Sequence, residues 1–382
     1  MNPSDLFSEF NSSNKALWEK QALKEINSLD SLSFVQYGIG YQPIYTSEDI
    51  DLGQLANFNP TKGKREWINL PICLSSDPKR LNELGSYLLE YGADGILFDT
   101  ENKEIDFSYL ANQIHPTKKI IAFYIPFDSV FLSKIESISS ELHIGFIACH
   151  FSLKDLRNKS IWEAYIPFFE KTIQEFPTNS LFRLIPISES FSKNVIEEIA
   201  YLLSLAVTWI DELTEKGIDV SKIISHIIFS IPIHENYFLQ IAKGRALRFL
   251  WTQIVYKAYG ISDFTNDKVI IHCEQMMKED FSNSHNNLIR NTTQAMSAIL
   301  GGCNYLTVLP HTTAQESDYS FAAHRIASEV SAILKEESHF DLVNDPAEGS
   351  FFLESITQQL IDKSWNLFKE IEKKGGVLEV FN

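Results

Sequence analysis

The 382-residue sequence predicts an α/β fold: a closed (β/α)8 TIM barrel preceded by an N-terminal helical and extended arm. Three observations predict it. Eight short apolar runs alternate with stretches of helical periodicity from about residue 66 onward. The runs are continuous rather than alternating, as strands buried on both faces require, and the helices between them impose parallel pairing. The turn after the first run, Leu74-Ser75-Ser76-Asp77, holds no glycine, whereas a doubly wound open sheet usually places a Gly-rich phosphate turn there.

Residues 1–62 read as the arm. Phe7 to Ile26 can be a helix, with Leu17, Trp18, Leu23 and Ile26 on one side. Tyr37-Gly38-Ile39-Gly40-Tyr41-Gln42-Pro43 shows neither helical nor strand period, and Gly38 and Gly40 lack the third glycine and following helix of a dinucleotide loop. The barrel spans 63–382. Its first strand is Trp67–Cys73. Asp77-Pro78 opens the first helix, with Asp at the N-cap and Pro at N1, and Gly92 ends it. The remaining strands are Gly95–Phe98, Ile120–Tyr124, Ile144–Cys149, Phe182–Pro186, His226–Ser230, Val269–Cys273 and Tyr305–Leu309. The helices after them are Ser108–Ile114, Val130–Ile138, Trp162–Phe176, Asn194–Lys216, Asn236–Tyr259, Asn287–Leu300 and Tyr319–Lys335. A closing amphipathic helix occupies 354–374, stopped by Lys373-Lys374-Gly375-Gly376.

Thirty-three basic against 50 acidic side chains give a formal charge of −17, which repels phosphate backbones and anionic membranes. Neither nucleic acid nor membrane is an expected partner, and no apolar run is long enough for a span. The N-terminus shows no basic stretch leading into an apolar one, so no secretory signal is expected. Cys73, Cys149, Cys273 and Cys303 form no C-x-x-C pair and no zinc spacing, and read as reduced, buried thiols of a cytoplasmic protein.

In such a barrel, function sits where the strands end. The candidates there are Asp99, Pro126, His150, Ser188, Glu189, Pro232, His234, His272, Glu274, Pro310 and His311. His150, His272 and His311 could ligate a metal, although neighbouring strands aim their side chains at different layers. Glu189 and Glu274 could form an acid–base pair, although any mouth of this size carries a few carboxylates. Lys268 lies at the wrong end of its strand for a Schiff base. Gly301-Gly302 precedes the last strand and reads as a helix C-cap rather than a phosphate loop. From the residues themselves, no catalytic set emerges.

Three stretches resemble one family. Asn236-Tyr237-Phe238-Leu239-Gln240-Ile241-Ala242-Lys243-Gly244-Arg245-Ala246-Leu247-Arg248-Phe249-Leu250-Trp251 is similar to the N-F-F-x-E-I-A-K-x-R-A-x-R-x-L-W helix of acyl-CoA mutases. His272-Cys273-Glu274-Gln275, with Asn287 through Ala295-Met296 and Gly301-Gly302, resembles H-x-Q-T-S-G … N-N-x-x-R-x-T-x-x-A-M-x-x-x-L-G-G. Asp345-Pro346-Ala347-Glu348-Gly349-Ser350 through Glu354, Trp365 and Gly375-Gly376 resembles D-P-x-G-G-S-Y-x-x-E … A-W-x-x-F-x-x-I-E-x-x-G-G.

Resemblance to the methylmalonyl-CoA mutase family implies the same barrel. It also implies an adenosylcobalamin-dependent rearrangement of an acyl-CoA, with the cofactor carrying the chemistry. The departures point to the small, non-catalytic subunit. The family's R-Q-Y-A-G-F run stands here as Ile68-Asn69-Leu70-Pro71-Ile72-Cys73, without its tyrosine. Its Tyr-His pair after the fifth strand is replaced by Ser188-Glu189-Ser190-Phe191-Ser192-Lys193-Asn194. No D-x-H-x-x-G cobalamin loop occurs, so no cobalamin domain is expected and adenosylcobalamin would be held by a catalytic large subunit. No catalytic, cofactor or metal residue is therefore assigned to this chain. Side chains are expected to fill the barrel where a CoA tail would thread, and the arm to contact the partner. A homodimer of the isolated chain stays open. So does an active barrel that borrows cobalamin from a separate chain.

Overall fold

Ile68 to Cys73 is one short run that serves two sheets. Its first half, β3 (Ile68–Asn69), pairs in parallel with the last barrel strand, and its second half, β4 (Ile72–Cys73), pairs with the next one. Leu70 and Pro71 lie between the halves. The Leu70 N–H reaches across to the Leu306 carbonyl at 2.9 Å, while the Pro71 carbonyl accepts from Leu97 on the other side at 3.0 Å. Proline has no N–H to give, so the ladder changes partner there.

The protein is seen in a computed structural model, which describes residues 13–50, 64–75, 77–99, 119–125, 143–149, 163, 166–167, 169–171, 173–174, 182–184, 194–276, 284–312 and 320–381. Its arm holds α1 (Lys15–Ala22), β1 (Phe34–Gln36) and β2 (Ile39–Tyr41). After β3 and β4 come α2 (Pro78–Glu90), β5 (Gly95–Asp99), β6 (Ile120–Ile125), β7 (His143–Cys149) and β8 (Phe182–Leu184). Then follow α3 (Val195–Glu215), α4 (Val220–Ser225), β9 (Ile227–Ile233), α5 (Tyr237–Tyr259), β10 (Ile270–Gln275), α6 (Ser284–Leu300), β11 (Tyr305–Thr307), α7 (Phe321–Glu336), α8 (Phe351–Lys373) and α9 (Val377–Phe381).

One sheet runs β4-β5-β6-β7 and the other β8-β9-β10-β11-β3, every pairing in them parallel. β7 lies beside β8. The order therefore follows the chain around eight positions and returns to the first run, as the predicted (β/α)8 barrel requires. The expected helices Ser108–Ile114 and Val130–Ile138 lie outside the described residues.

Period-two alternation sorts the strand side chains into two cores. Leu70, Ile72, Leu97, Ala122, Tyr124, Phe146 and Ile228 cluster inside the barrel. Cys73, Ile96, Phe98, Ile121, Phe123, Ile147, Phe229, Ile231 and Ile271 join the layer beneath the helices. The helix starts follow the sequence cues. Asp77 Oδ1 accepts from the Lys79 N–H at 3.0 Å with Pro78 behind it, and Asn236 Oδ1 accepts from the Leu239 N–H at 3.2 Å. Gly92 and Gly302 sit at φ +97° and +93°, the left-handed conformation that ends a helix. α4 is a helix that the sequence pattern did not indicate. Its six residues are too few to show a period, and the Asp219 cap on Lys222 N–H is its local signal.

The arm corrects one reading. The irregular stretch at Tyr37–Pro43 contains half of an antiparallel hairpin, with Gln36 opposite Ile39 and Phe34 opposite Tyr41. Tyr37 and Gly38 form its two-residue turn at φ 52° and 78°. A turn with both φ values positive is usually signalled by Asn-Gly or Asp-Gly, and a tyrosine in the first place hides it. α1 is shorter than the expected helix in the described residues, and it buries no side chain.

Candidate functional site

The described mouth is closed from within. Phe146 packs against the His272 ring at 5.3 Å and edge-on to Tyr305 at 5.6 Å between centroids. Tyr124, two residues further up β6 than Ala122, donates its hydroxyl to the Glu274 carboxylate. Phe146, Tyr124 and His272 are buried.

His272 holds the centre of this wall. Its Nε2 lies 2.9 Å from Thr307 Oγ1, and its Nδ1 lies 2.9 Å from Ser230 Oγ. Thr307 donates its one proton to the Leu70 carbonyl at 2.7 Å. Thr307 must therefore accept from the imidazole, which puts a proton on Nε2. The chain of bonds links β9, β10 and β11 to the first strand run. These bonds tie His272 into the barrel wall as a structural member.

Of the three histidines considered together, His150 lies outside the described residues. The His311 carbonyl accepts from Asn287 Nδ2 at 3.1 Å. Among the described residues, no three His, Cys, Asp or Glu side chains gather closely enough to hold a metal. Glu274 faces Tyr124, while Pro126, Ser188 and Glu189 lie outside the described residues, so a Glu189–Glu274 pair has no described geometry. Asp99 ends β5, and Pro310 is buried beyond β11.

His234 follows β9, with its Nε2 3.9 Å from Glu198 Oε1. Glu198, on α3, pairs with Lys243 of α5 at 3.1 Å, and Lys243 also donates to the Pro232 carbonyl. Burial, with the Lys243 charge behind it, pulls the His234 imidazole down to about 3. Sequence reasoning did not single out Glu198 or Lys243 by residue. A lysine inside the apolar run Ile241-Ala242-Lys243-Gly244 was the available signal, because a lysine is almost never fully buried without a partner.

The family-like stretches turn out to hold one another. Arg245 of α5 reaches Asp345 Oδ2 with Nε at 3.0 Å and clasps Glu354 with Nη1 and Nη2 at 3.1 and 2.8 Å. Burial opposes the Arg245 charge, but the Glu354 and Asp345 carboxylates outweigh it and raise its pKa. Arg248 donates to the carbonyls of Asn266 and Gly302, both at 2.6 Å. Burial, together with Arg65, lowers it to about 10. Gln275 Oε1 accepts from Leu309 N–H at 3.0 Å, and Asn291 Nδ2 donates to the Leu309 carbonyl at 2.7 Å. A Cβ built on Gly244 would stand 2.3 Å from the Gly301 carbonyl oxygen.

The family model described as methylmalonyl-CoA mutase matches residues 165–382. The chain belongs to the methylmalonyl-CoA mutase family. A methylmalonyl-CoA mutase small subunit of Porphyromonas gingivalis is 27% identical over 97% of this chain and 65% of its own length. The small subunit of Propionibacterium freudenreichii subsp. shermanii is 32% identical over 48% of this chain and 28% of its own. A methylmalonyl-CoA mutase of Rhizobium meliloti is 30% identical over 56% of this chain and 30% of its own. The chain thus spans less than two thirds of the length of each of these relatives.

Membership makes adenosylcobalamin the family's cofactor to test against these residues. Rings fill the axis, His272 spends both nitrogens inside the wall, and His234 faces a buried ion pair. No helix among the described residues is long and apolar enough to cross a membrane.

Proposed function

We propose that this chain is the small, non-catalytic subunit of a two-chain, adenosylcobalamin-dependent methylmalonyl-CoA mutase of the cytoplasm. Such an enzyme interconverts methylmalonyl-CoA and succinyl-CoA. Residues 63–382 serve as a supporting barrel and residues 1–62 as an arm against the catalytic large subunit, which holds the cofactor.

The filled barrel interior carries the reading. Phe146, Tyr124 and Tyr305 stand where an acyl-CoA tail would need an axial path. The absent tyrosine in Ile68–Cys73 and the absent Tyr-His pair after the fifth strand support it. So do relatives that carry the name small subunit.

The test is co-purification with a mutase large subunit, followed by assay with methylmalonyl-CoA and adenosylcobalamin. The expected result is a stable complex, turnover by the complex, and none by this chain alone. Turnover by this chain alone, or failure to associate, would overturn the proposal.

A further inference from the structure

The β1–β2 hairpin has two edges, and the structure treats them differently. On the β2 edge, Gly40 N–H donates to Gln359 Oε1 at 2.9 Å, and Gly40 O accepts from Gln359 Nε2 at 3.0 Å. One amide side chain of α8 thus satisfies the outward backbone groups of that strand, as a third strand would. Lys363, one turn further along α8, donates to the Gly38 carbonyl and clips down the turn.

The β1 edge has no such cover among the described residues, where β1 pairs with β2 alone. A two-residue turn at Tyr37-Gly38 makes Gln36–Ile39 the hydrogen-bonded pair that closes it. Pairs alternate, so Val35–Gly40 is the non-bonded pair. The Val35 N–H and C=O therefore point away from β2, as those of Gly40 point away from β1. Val35 is 73% exposed. This is a strand edge of the kind that templates another chain.

The surface around it is apolar. Phe34 is stacked on Tyr41 at 4.7 Å, Tyr41 meets Phe352 at 6.3 Å, and Phe352 meets Phe238 at 5.2 Å, so these rings are contiguous. Asn236 Nδ2 ties Gln36 to the start of α5 at 3.0 Å. Phe34, Tyr37, Phe238 and Phe351 are all exposed by more than a third. At ~200 Å² per aromatic side chain, Phe34 and Phe238 together with Val35 offer roughly 300 Å². That is more than half of the apolar share of the ~800 Å² each partner buries in a standard interface. A second copy is a poor occupant, because each chain carries a formal charge of −17.

We infer that the outer edge of β1 receives an extended strand of the large subunit, pairing through the Val35 N–H and C=O, with apolar side chains on the aromatic patch. The inference rests on the proposed two-chain function and adds the mode of contact. Val35→Pro tests it. Proline removes the outward N–H, which the β1–β2 ladder does not use, so the isolated variant should keep its fold.

Three readouts separate the outcomes: affinity for the large subunit, hydrogen exchange at the Val35 amide, and sedimentation of the chain alone. The expected result is at least tenfold weaker association for Val35→Pro, unchanged association for Ile333→Ser on α7, and at least tenfold slower Val35 exchange in the wild-type complex. A complex that forms without Val35 protection, or with full affinity for Val35→Pro, overturns the edge contact and leaves the subunit proposal standing. No complex with the wild-type chain overturns both. Self-association abolished by Val35→Pro would make a second copy the occupant and overturn the inference.

Discussion

Arg245 on α5 holds the Glu354 carboxylate of α8 with two parallel bonds, while its Nε takes Asp345 in the turn before α8. One side chain thus joins the sixth barrel helix to the segment after the eighth strand. All three groups are buried. Removing one member strands the others in a low dielectric, so Arg245→Ala should destabilise the fold by about 3–5 kcal/mol. Replacing Arg245 by Met together with Glu354 by Leu and Asp345 by Asn should recover most of that loss. Urea unfolding of the single and triple variants measures both.

Gly244 offers a second test of the same contact region. Its missing Cβ lets α5 meet the Gly301 carbonyl at the end of α6. Gly244→Ala would gain helix propensity in isolation, yet the methyl has nowhere to go. The close approach should dominate, with a net loss of about 1–3 kcal/mol. A rise in thermal midpoint instead would show that the helices can part freely.

The pH dependence follows from His324 on α7. Burial, followed by the Arg80 charge and against the bond to the Ser320 carbonyl, lowers its pKa to about 4. The unfolded state then binds a proton below about pH 6.5 that the folded state refuses until about pH 4. Stability is therefore full above pH 6.5 and falls on acidification, by up to about 1.4 kcal/mol per pH unit from this group. His324→Gln should flatten that slope between pH 6.5 and 4, read by urea midpoints across the range.

The interior packing predicts a cavity. Phe146 fills the barrel axis against His272 and Tyr305. Phe146→Ala should lower stability by about 3–5 kcal/mol through lost burial and an unfilled space. A crystal of the variant under xenon should show density at the vacated ring position. Unchanged stability would mean that the ring does not pack the axis.

Much of the fold was legible because apolar runs and helical periods are local. The eight strand positions, the Asp77 cap, and the Gly92 and Gly302 stops all appear in consecutive residues. The hairpin at Tyr37-Gly38 was not legible, since its turn lacks the usual residue pair and its strands are three residues long. The mouth was legible only as a set of positions. That His272 is spent on Ser230 and Thr307, residues 42 and 35 positions away, depends on strand register. The pairing of Glu198 with Lys243 was not legible, because they stand 45 positions apart on separate helices.

The sequence by itself determined the barrel order and the family, because both reside in patterns of neighbouring residues. Only the tertiary structure decided what the family-like residues do. Arg245, Arg248, Gln275 and Asn291 meet partners far along the chain, and the barrel's closure makes them braces. Closure also sets which side chains share the axis. Phe146, Tyr124 and His272 come from separate strands, and they fill it because the parallel register brings them to neighbouring levels.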